Sequence, residues 1–463
     1  MRRLAAAIPL VLVAAGLASL YLWVSGDAAT GVSVRLAIPE NEPQAGGDEG
    51  GAADWQDEFH QFDGVAADLP GSWPRFRGAN LDGISPEETA LARTWPGDGP
   101  SVLWSIEMGE GYAGAAVLAG RVYVLDYDHE KKGDAIRCFS LADGREIWRY
   151  SYPVKVRRQH GMSRTVPAVT EKYVVTMGPK CHVTCLDSVT GRFRWKLNLV
   201  RDYGTVVPDW YTGQCPLIDD GKAIIAPAGK ALMMSVDCET GEVLWQSPNP
   251  RGWQMTHSSV APVEFSGRRM YVYCASGGVV GISAEDGRVL WEFPDWQIRI
   301  ANVPTPVVVG DGMIFLSGGY NAGSLMLRLV ESGGEIAAEQ VFRLEPEVFG
   351  ADQQTPIFYE GYIYGVRPDG QLTCLEPNGQ IVWTSTSAHK FGLGPYIIAG
   401  GLIYVMDGSG LLTMAEATPT GYVQLAQAKV LEGPDAWGPM AIAGGRLILR
   451  DLNRMICLDV AER

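Results

Sequence analysis

The chain has 463 residues, of which 46% are hydrophobic and 20% charged, so it can bury the core of at least one large globular domain. Its formal net charge of −15 disfavours nonspecific nucleic-acid binding. The 56 glycines and 28 prolines are typical of an all-β chain with many turns. Composition therefore favours a β-rich body and excludes nucleic acid as the expected partner.

The beginning of the chain predicts a membrane anchor or a signal segment over residues 1–26. Residues 4–26 carry no charge and are long enough to span a bilayer, and Arg2 and Arg3 favour a cytoplasmic N-terminus. We expect an uncleaved anchor, with a cleaved signal peptide as the alternative. Residues 27–71 are acidic and rich in glycine and alanine, which predicts a flexible linker. The main domain would then be residues 72–460.

An internal repeat fills the chain after residue 100. Phrases such as CFSLADGREIW (138–148), CLDSVTGRFRW (185–195) and GISAEDGRVLW (281–291) recur about every 40 to 50 residues, the period of propeller blades. With degenerate copies included, the repeats start near positions 138, 185, 235, 281, 328, 374, 413 and 457. Eight copies predict eight blades.

A second element precedes each copy, namely an anchor residue that is usually proline, followed by two hydrophobic runs. The anchors are Ala115, Pro167, Pro216, Pro262, Pro306, Pro356, Pro395 and Pro439. Each period therefore predicts four short strands, and Asp-Gly, Thr-Gly or Asn-Gly pairs mark a tight turn between the third and the fourth.

The two ends of the repeat region complement each other. The last copy, RMICLDV (454–460), lacks a fourth strand, whereas the run around Trp104 is a fourth strand with no copy before it. Joining them in one blade closes the ring and removes exposed sheet edges. The predicted fold is an all-β, eight-bladed propeller of four-stranded antiparallel blades, closed by strands from both termini.

The repeated blade motif CLDxxTGxxxW resembles the pyrroloquinoline quinone (PQQ) repeat. The segment before the repeats, WPRFRGANLDGIS (73–85), here called the lead-in, is similar to that of bacterial PQQ-binding-like propeller proteins. The resemblance covers about residues 72–460 and implies the propeller fold. That fold is shared by quinoprotein dehydrogenases and by the non-catalytic, BamB-like lipoproteins of outer-membrane assembly. Function does not follow from it, because propellers host unrelated activities.

Sequence features favour the non-catalytic relatives. Quinoprotein dehydrogenases, which the repeat resembles, often place PQQ against a disulfide between adjacent cysteines and use a calcium ion and an Asp base. No Cys-Cys pair and no CxxCH haem motif occurs in this chain, and common catalytic motifs are missing. We expect no cofactor and no enzymatic activity, with a diverged PQQ-dependent oxidoreductase as the alternative function.

The expected function is that of a membrane-tethered scaffold in the bacterial cell envelope, with the propeller outside the cytoplasm. Its expected partner is another envelope protein or a peptide, and envelope protein assembly is one such role. If the first segment is cleaved, the protein would instead be secreted or periplasmic.

Candidate binding residues lie on one face of the propeller. Connections that lead from a fourth strand to the next first strand, and from a second strand to a third strand, lie on one face, here called the long-loop face. The opposite face, here called the tight-turn face, carries the glycine turns. Binding residues commonly lie on loops such as those of the long-loop face. The candidates are His160, Arg164, Trp210, Tyr211, His257, Asp352, Gln353, Gln354 and Trp437, with ordinary loop residues as the alternative. The basic stretch Lys155–Arg164 would receive an anionic group or an acidic peptide, or is a solvated loop.

The repeated tryptophans predict a structural role, because they recur once per blade and would pack between neighbouring blades. They are Trp104, Trp148, Trp195, Trp245, Trp291 and Trp383. The equivalent positions Cys138, Cys185, Cys374 and Cys457 mark a slot for a small side chain.

No metal site is predicted. In CHVTC (181–185) the two sulfurs would lie about 13 Å apart on a strand. In DYDHEKKGD (126–134), Lys131 occupies the position where a calcium loop needs glycine, which favours a polar hairpin loop.

Overall fold

The computed structural model describes residues 56–158 and 160–462, which form eight antiparallel blades around a central channel. The predicted anchor (1–26) and residues 27–55 of the predicted linker lie outside the described residues. Within the described ranges, no helix is long and apolar enough to cross a membrane. Three strands precede the first complete blade: β1 (Glu58–Gln61), β2 (Ile84–Ser85) and β3 (Val102–Glu107).

Blades 1 to 4 follow, with the strands of each blade ordered from the channel outwards. Blade 1 contains β4 (Ala116–Leu118), β5 (Arg121–Asp128), β6 (Gly133–Ser140) and β7 (Glu146–Pro153). Blade 2 contains β8 (Ala168–Val169), β9 (Tyr173–Met177), β10 (His182–Asp187) and β11 (Phe193–Asn198). After the short helix α1 (Leu199–Tyr203), blade 3 contains β12 (Leu217–Asp219), β13 (Lys222–Ile225), β14 (Ala231–Asp237) and β15 (Val243–Pro248). Blade 4 contains β16 (Ala261–Phe265), β17 (Arg268–Ala275), β18 (Gly278–Ser283) and β19 (Val289–Phe293).

Blades 5 to 7 have the same order, and blade 8 closes the ring. Blade 5 contains β20 (Val307–Gly310), β21 (Met313–Gly318), β22 (Gly323–Ser332) and β23 (Glu335–Leu344). Blade 6 contains β24 (Ile357–Tyr359), β25 (Tyr362–Val366), β26 (Leu372–Leu375) and β27 (Ile381–Thr384). Blade 7 contains β28 (Tyr396–Ala399), β29 (Leu402–Met406), β30 (Leu411–Glu416) and β31 (Gln424–Lys429). Blade 8 combines β32 (Ala441–Ala443), β33 (Arg446–Arg450) and β34 (Arg454–Asp459) with β3, which confirms the predicted fold and closure.

Each blade tryptophan lies opposite the small-residue slot of its own blade. Trp148, for example, is in register with Cys138, and its ring covers the turn of blade 2, where a Cβ on Gly191 would lie 2.5 Å from the indole. Trp291 instead covers Gly281 of its own blade. Indole nitrogens also donate to carbonyls of the following blade over 2.8 to 3.2 Å, from Trp104, Trp195, Trp245 and Trp383.

The cysteines belong to the core. All eight are buried free thiols within the described ranges. Burial raises their pKa values, for Cys374 to about 11, so at neutral pH they are protonated and unreactive. In CHVTC both cysteines are buried, but only Cys185 lies on a strand, because β10 begins at His182 and Cys181 precedes it at a positive φ of 59°.

The lead-in segment closes the tight-turn end of the channel. Trp73 forms a β-bridge beside β4, and Pro74 accepts a hydrogen bond from Val169 of blade 2 (2.8 Å). Arg75 donates to Ile218 of blade 3 (3.0 Å), and β2 pairs in parallel with β28 of blade 7. This segment therefore ties first strands of distant blades together.

Arg77 extends from the lead-in into the channel. Its guanidinium donates to four backbone carbonyls, those of Leu81, Asp82, Thr355 and Pro356, at 2.9 to 3.0 Å. Burial lowers its pKa to about 10, which leaves it charged at neutral pH. A charge-assisted network thus fixes the closed end of the channel.

Ordered structure begins before the predicted domain boundary at residue 72. β1, which falls in the predicted linker, pairs antiparallel with β7 as a fifth strand of blade 1. Asp57 accepts hydrogen bonds from Tyr150 (2.5 Å) and from Lys196 (2.9 Å), which belong to blades 1 and 2. The acidic composition of this segment gave no sign of that strand.

The contact between Trp148 and blade 2 can be tested with a pair of glycine substitutions. Gly191 and Gly221 have similar positive φ angles (67° and 71°), but a Cβ at Gly221 would meet no atom within 4 Å. Gly191→Ala and Gly221→Ala therefore share the backbone strain of about 1 kcal/mol. We expect Gly191→Ala to lose a further 1 to 3 kcal/mol, roughly, of unfolding free energy by overpacking. Equal losses in urea denaturation would contradict interblade packing at this turn.

Candidate functional site

Side chains from several long loops meet above the channel. The ring of Tyr112, in the β3–β4 connection, lies 5.4 Å from the rings of both His160 and Trp437, which are 5.3 Å apart. Tyr112 also donates to Asp435 (3.1 Å). These four residues precede blades 1, 2 and 8. We use the term mouth for this cluster together with six further residues, namely Arg164, Trp210, His257, Tyr320, Asp352 and Gln354.

Arg164 is the cation of the mouth. Its Nε donates to the carbonyl of Trp210, its Nη2 donates to those of His160 and Gly161, and its guanidinium carbon lies 5.0 Å from the centre of the Tyr112 ring. Burial lowers its pKa to about 10, so it remains charged at neutral pH. Among the described residues, none accepts a hydrogen bond from Nη1. The side chain is thus held rigidly with part of its donor capacity unused.

His257 provides the neutral neighbour of that cation. Its side chain is buried, and a Cβ on Gly213 would lie 3.0 Å from its Nδ1. Burial, with a smaller contribution from the charge of Arg164, lowers its pKa to about 3. His257 is therefore uncharged at neutral pH and at moderately acidic pH.

Gln354 shows that the mouth lies near the propeller axis. Its Nε2 is 3.4 Å from the carbonyl oxygens of Leu393 and Trp437, in the connections that enter blades 7 and 8. Loops of non-neighbouring blades can meet only near the axis. Asp352 and Gln353, in the same connection, line a cavity of about 10 Å³, and burial raises the pKa of Asp352.

Trp210 and Tyr211 turn the connection into blade 3 towards the mouth. Both have left-handed backbone conformations, with φ of 62° and 70°. The Tyr211 hydroxyl donates to the carbonyl of Arg157 (2.8 Å), and its side chain is fully buried. Tyr211 therefore joins two loops, whereas Trp210 presents its carbonyl to Arg164. Arg158, in the basic stretch, forms an ion pair with Glu110.

Three residues of the mouth were not among the sequence candidates: Tyr112, Tyr320 and Asp435. Tyr112 was detectable, because it lies three residues before the anchor Ala115, as Arg164 lies three residues before Pro167. Tyr320, whose exposed fraction is 42%, and Asp435 lie at positive φ (55° and 60°) in irregular loops and have no repeat signal.

The cavity next to the lead-in is too small for a PQQ-type cofactor. The cavity between the lead-in and the first strands of blades 3 to 5 measures about 10 Å³, room for about one water molecule and not for a tricyclic quinone. In residues 56–158 and 160–462, no group of three or more His, Cys, Asp or Glu side chains is placed to hold a metal ion.

A larger cavity, of about 720 Å³, lies on the flank of blade 1 beside blade 8. Several of the charged side chains in and behind its walls are paired with one another. Arg137 donates to Asp126 (2.9 Å) and to both carboxylate oxygens of Glu146 (2.9 and 3.0 Å), and Arg149 also binds Glu146. This network stabilises the blade and marks no particular ligand.

Comparisons with known proteins identify the relatives of this chain. A family model described as outer membrane protein assembly factor BamB matches residues 131–378, which is just over half of the chain. BamB of Yersinia pestis is 23% identical over 294 residues, covering 51% of this chain and 70% of the relative.

Solved structures share the fold. BamB from Moraxella catarrhalis superposes with a TM-score of 0.53 at 14% identity, covering 78% of this chain and 99% of that one. A europium-containing methanol dehydrogenase superposes with a TM-score of 0.59 at 12% identity, covering 82% of this chain and 89% of that one. The family resemblance of the repeat is thus confirmed, and both architectural relatives named from the sequence are found.

The buried histidine of the mouth predicts a pH dependence of stability. The folded-state pKa of His257, about 3, lies below its value in the unfolded chain. The contribution of the neutral His257 side chain to the unfolding free energy is therefore lost as the pH falls below about 6.5, at up to about 1.4 kcal/mol per pH unit. We expect His257→Gln to flatten the acid-side decline in unfolding free energy, measured by urea denaturation at several pH values.

Asp134 provides a control of opposite sign. Burial raises its pKa to about 7, so its contribution to stability increases as the pH falls from about 7 to about 4. Asp134→Asn should therefore steepen the same decline. If His257→Gln and the wild type show equal slopes, His257 is not neutral in the folded protein.

Proposed function

This chain belongs to the family of outer membrane protein assembly factor BamB, and on that premise we propose that it is a binding scaffold for outer-membrane protein assembly. The mouth is the surface proposed to receive its partner, another envelope protein. The proposal is supported most by one observation, namely that side chains from loops of distant blades form a single contact cluster around the axis, from Gln354 through Trp437 and Tyr112 to Arg164.

The two ends of the channel favour a partner that approaches from the long-loop side. The lead-in occupies the tight-turn end, where Arg77 bonds to carbonyls of blade 6. At the other end, exposed Tyr320 and half-buried Trp437, Trp210 and His160 offer aromatic surface. Aromatic side chains held rigidly are the residues that contribute most at protein interfaces.

The proposed location is the cell envelope, with the propeller outside the cytoplasm. Residues 1–26 are proposed to anchor it in the cytoplasmic membrane, residues 27–71 to act as a spacer whose end is docked through β1, and residues 72–460 to form the binding body. The uncharged run 4–26 behind Arg2 and Arg3 supports the anchor. If the segment is cleaved, the same body would be periplasmic.

The proposal requires no cofactor and no catalytic activity. Similarity to the methanol dehydrogenase concerns the fold. A saturable PQQ titration of the purified protein, with and without Ca²⁺, together with alcohol-dependent dye reduction, would overturn the scaffold proposal in favour of an oxidoreductase.

Photo-crosslinking in cells that express the full chain tests the proposed surface. We expect a photoreactive phenylalanine analogue at Tyr320 to give discrete adducts whose partner, identified by mass spectrometry, is an outer-membrane assembly protein. Val189 is the matched control, because it is similarly exposed (48% against 42%) but lies in the β10–β11 turn on the tight-turn face. Assembly adducts at Val189 and not at Tyr320 would place the interface on the wrong face for this proposal.

A further inference from the structure

The Arg164 side chain is held in one orientation by backbone carbonyls. Three backbone carbonyls fix its Nε and Nη2, while no described residue accepts from Nη1. Two of those carbonyls belong to the Lys155–Arg164 loop and one to the neighbouring connection, so the guanidinium is oriented before any ligand arrives. A preorganised guanidinium loses little side-chain freedom on binding a carboxylate.

The charges around Arg164 leave it the dominant cation of the mouth. His257 beside it is neutral, and the Tyr112 ring covers one face of the guanidinium. Asp435 already accepts a hydrogen bond from Tyr112, and the charge of Asp352 acts on Tyr320, which also feels the charge of Arg164. Hydrophobic and aromatic walls reduce competition from water, which strengthens a charge-assisted hydrogen bond.

Two further cations lie on the loop that ends at Arg164. Lys155 and Arg157 are exposed on the same loop. The carbonyl of Arg157 is held by Tyr211, directly next to Trp210, which binds Arg164. Because charges in salt solution act over about 8 Å, this local basic group matters more to an approaching acidic segment than the net charge of −15 does.

We propose that the mouth binds a carboxylate of its protein partner, an acidic side chain or a chain terminus, on the Nη1 side of Arg164. The inference rests on the proposed scaffold function and names the chemistry of the partner segment. A carboxylate fits the planar guanidinium, and the Tyr112, Trp210 and Trp437 rings would flank the residues beside it.

The test uses the full chain purified in detergent and a short fluorescein-labelled polyglutamate peptide, titrated by fluorescence anisotropy. A polyglutamine peptide of equal length is the ligand control. We expect saturable binding of polyglutamate, weakened at high salt, and no comparable binding of polyglutamine. Arg164→Gln should reduce the affinity about tenfold or more, and Arg164→Lys should restore only part of it, because an ammonium cannot hold the three carbonyls in the same geometry.

Two control variants separate this site from general charge attraction. Arg192→Gln removes one exposed cation on the tight-turn face and should leave the affinity unchanged. Arg157→Gln should change mainly the salt dependence. Equal affinities of the wild type and Arg164→Gln, or of polyglutamate and polyglutamine, would overturn the proposal. The peptide comparison on the wild type keeps the test valid even if Arg164→Gln does not fold.

The crosslinking result distinguishes this inference from the function on which it rests. Assembly adducts at Tyr320 without polyglutamate binding would leave the scaffold standing and overturn the carboxylate site. Polyglutamate binding that depends on Arg164, without assembly adducts, would support the anion site and overturn the role in assembly.

Discussion

The pairing of β3 with β34 is the constraint on which the propeller depends. It joins residues separated by most of the chain, and it places Trp104 in register with Cys457, where its indole nitrogen donates to Leu141 of blade 1 (3.0 Å). The closing blade therefore makes the same type of contact with blade 1 that the other blades make with their successors. It also fixes the start of the β3–β4 connection, which carries Tyr112. Ring closure and the geometry of the mouth are consequences of the same strand pair.

The two faces of the ring have different roles, one in packing and the other in binding. On the tight-turn face, a turn glycine such as Gly144 receives the ring of the preceding blade, since a Cβ there would lie 2.9 Å from Trp104. The lead-in then covers the channel, and Arg77 donates to four backbone carbonyls, two of them through buried hydrogen bonds. With one face committed to packing, sequence variation for binding is left to the long loops of the other face.

The repeat could be predicted because its key contacts are encoded once per blade. The tryptophan, the small slot residue and the turn glycine recur at fixed spacing, and each contacts its own or the next repeat. The mouth has no such signal. Gln354 and Trp437 meet across 83 residues, and Tyr112 and Asp435 across 323, at distances set by irregular loops with positive φ. β1 was missed for a related reason, since its sequence has the composition of a linker and its order comes from backbone pairing with β7.

What occupies the axis decides what a propeller of this kind can bind. Here the protein places its own side chains there, a guanidinium under a tyrosine ring and a neutral histidine beside it, and the two cavities next to the lead-in and next to Asp352 measure about 10 Å³ each. A tricyclic quinone does not fit into either of these two cavities. A segment of another protein needs only to reach the rim, where the Tyr320 side chain is 42% exposed and Trp437 is half-buried. The side chains that meet at the axis therefore offer a partner segment a contact surface at the rim, as the proposed scaffold function requires.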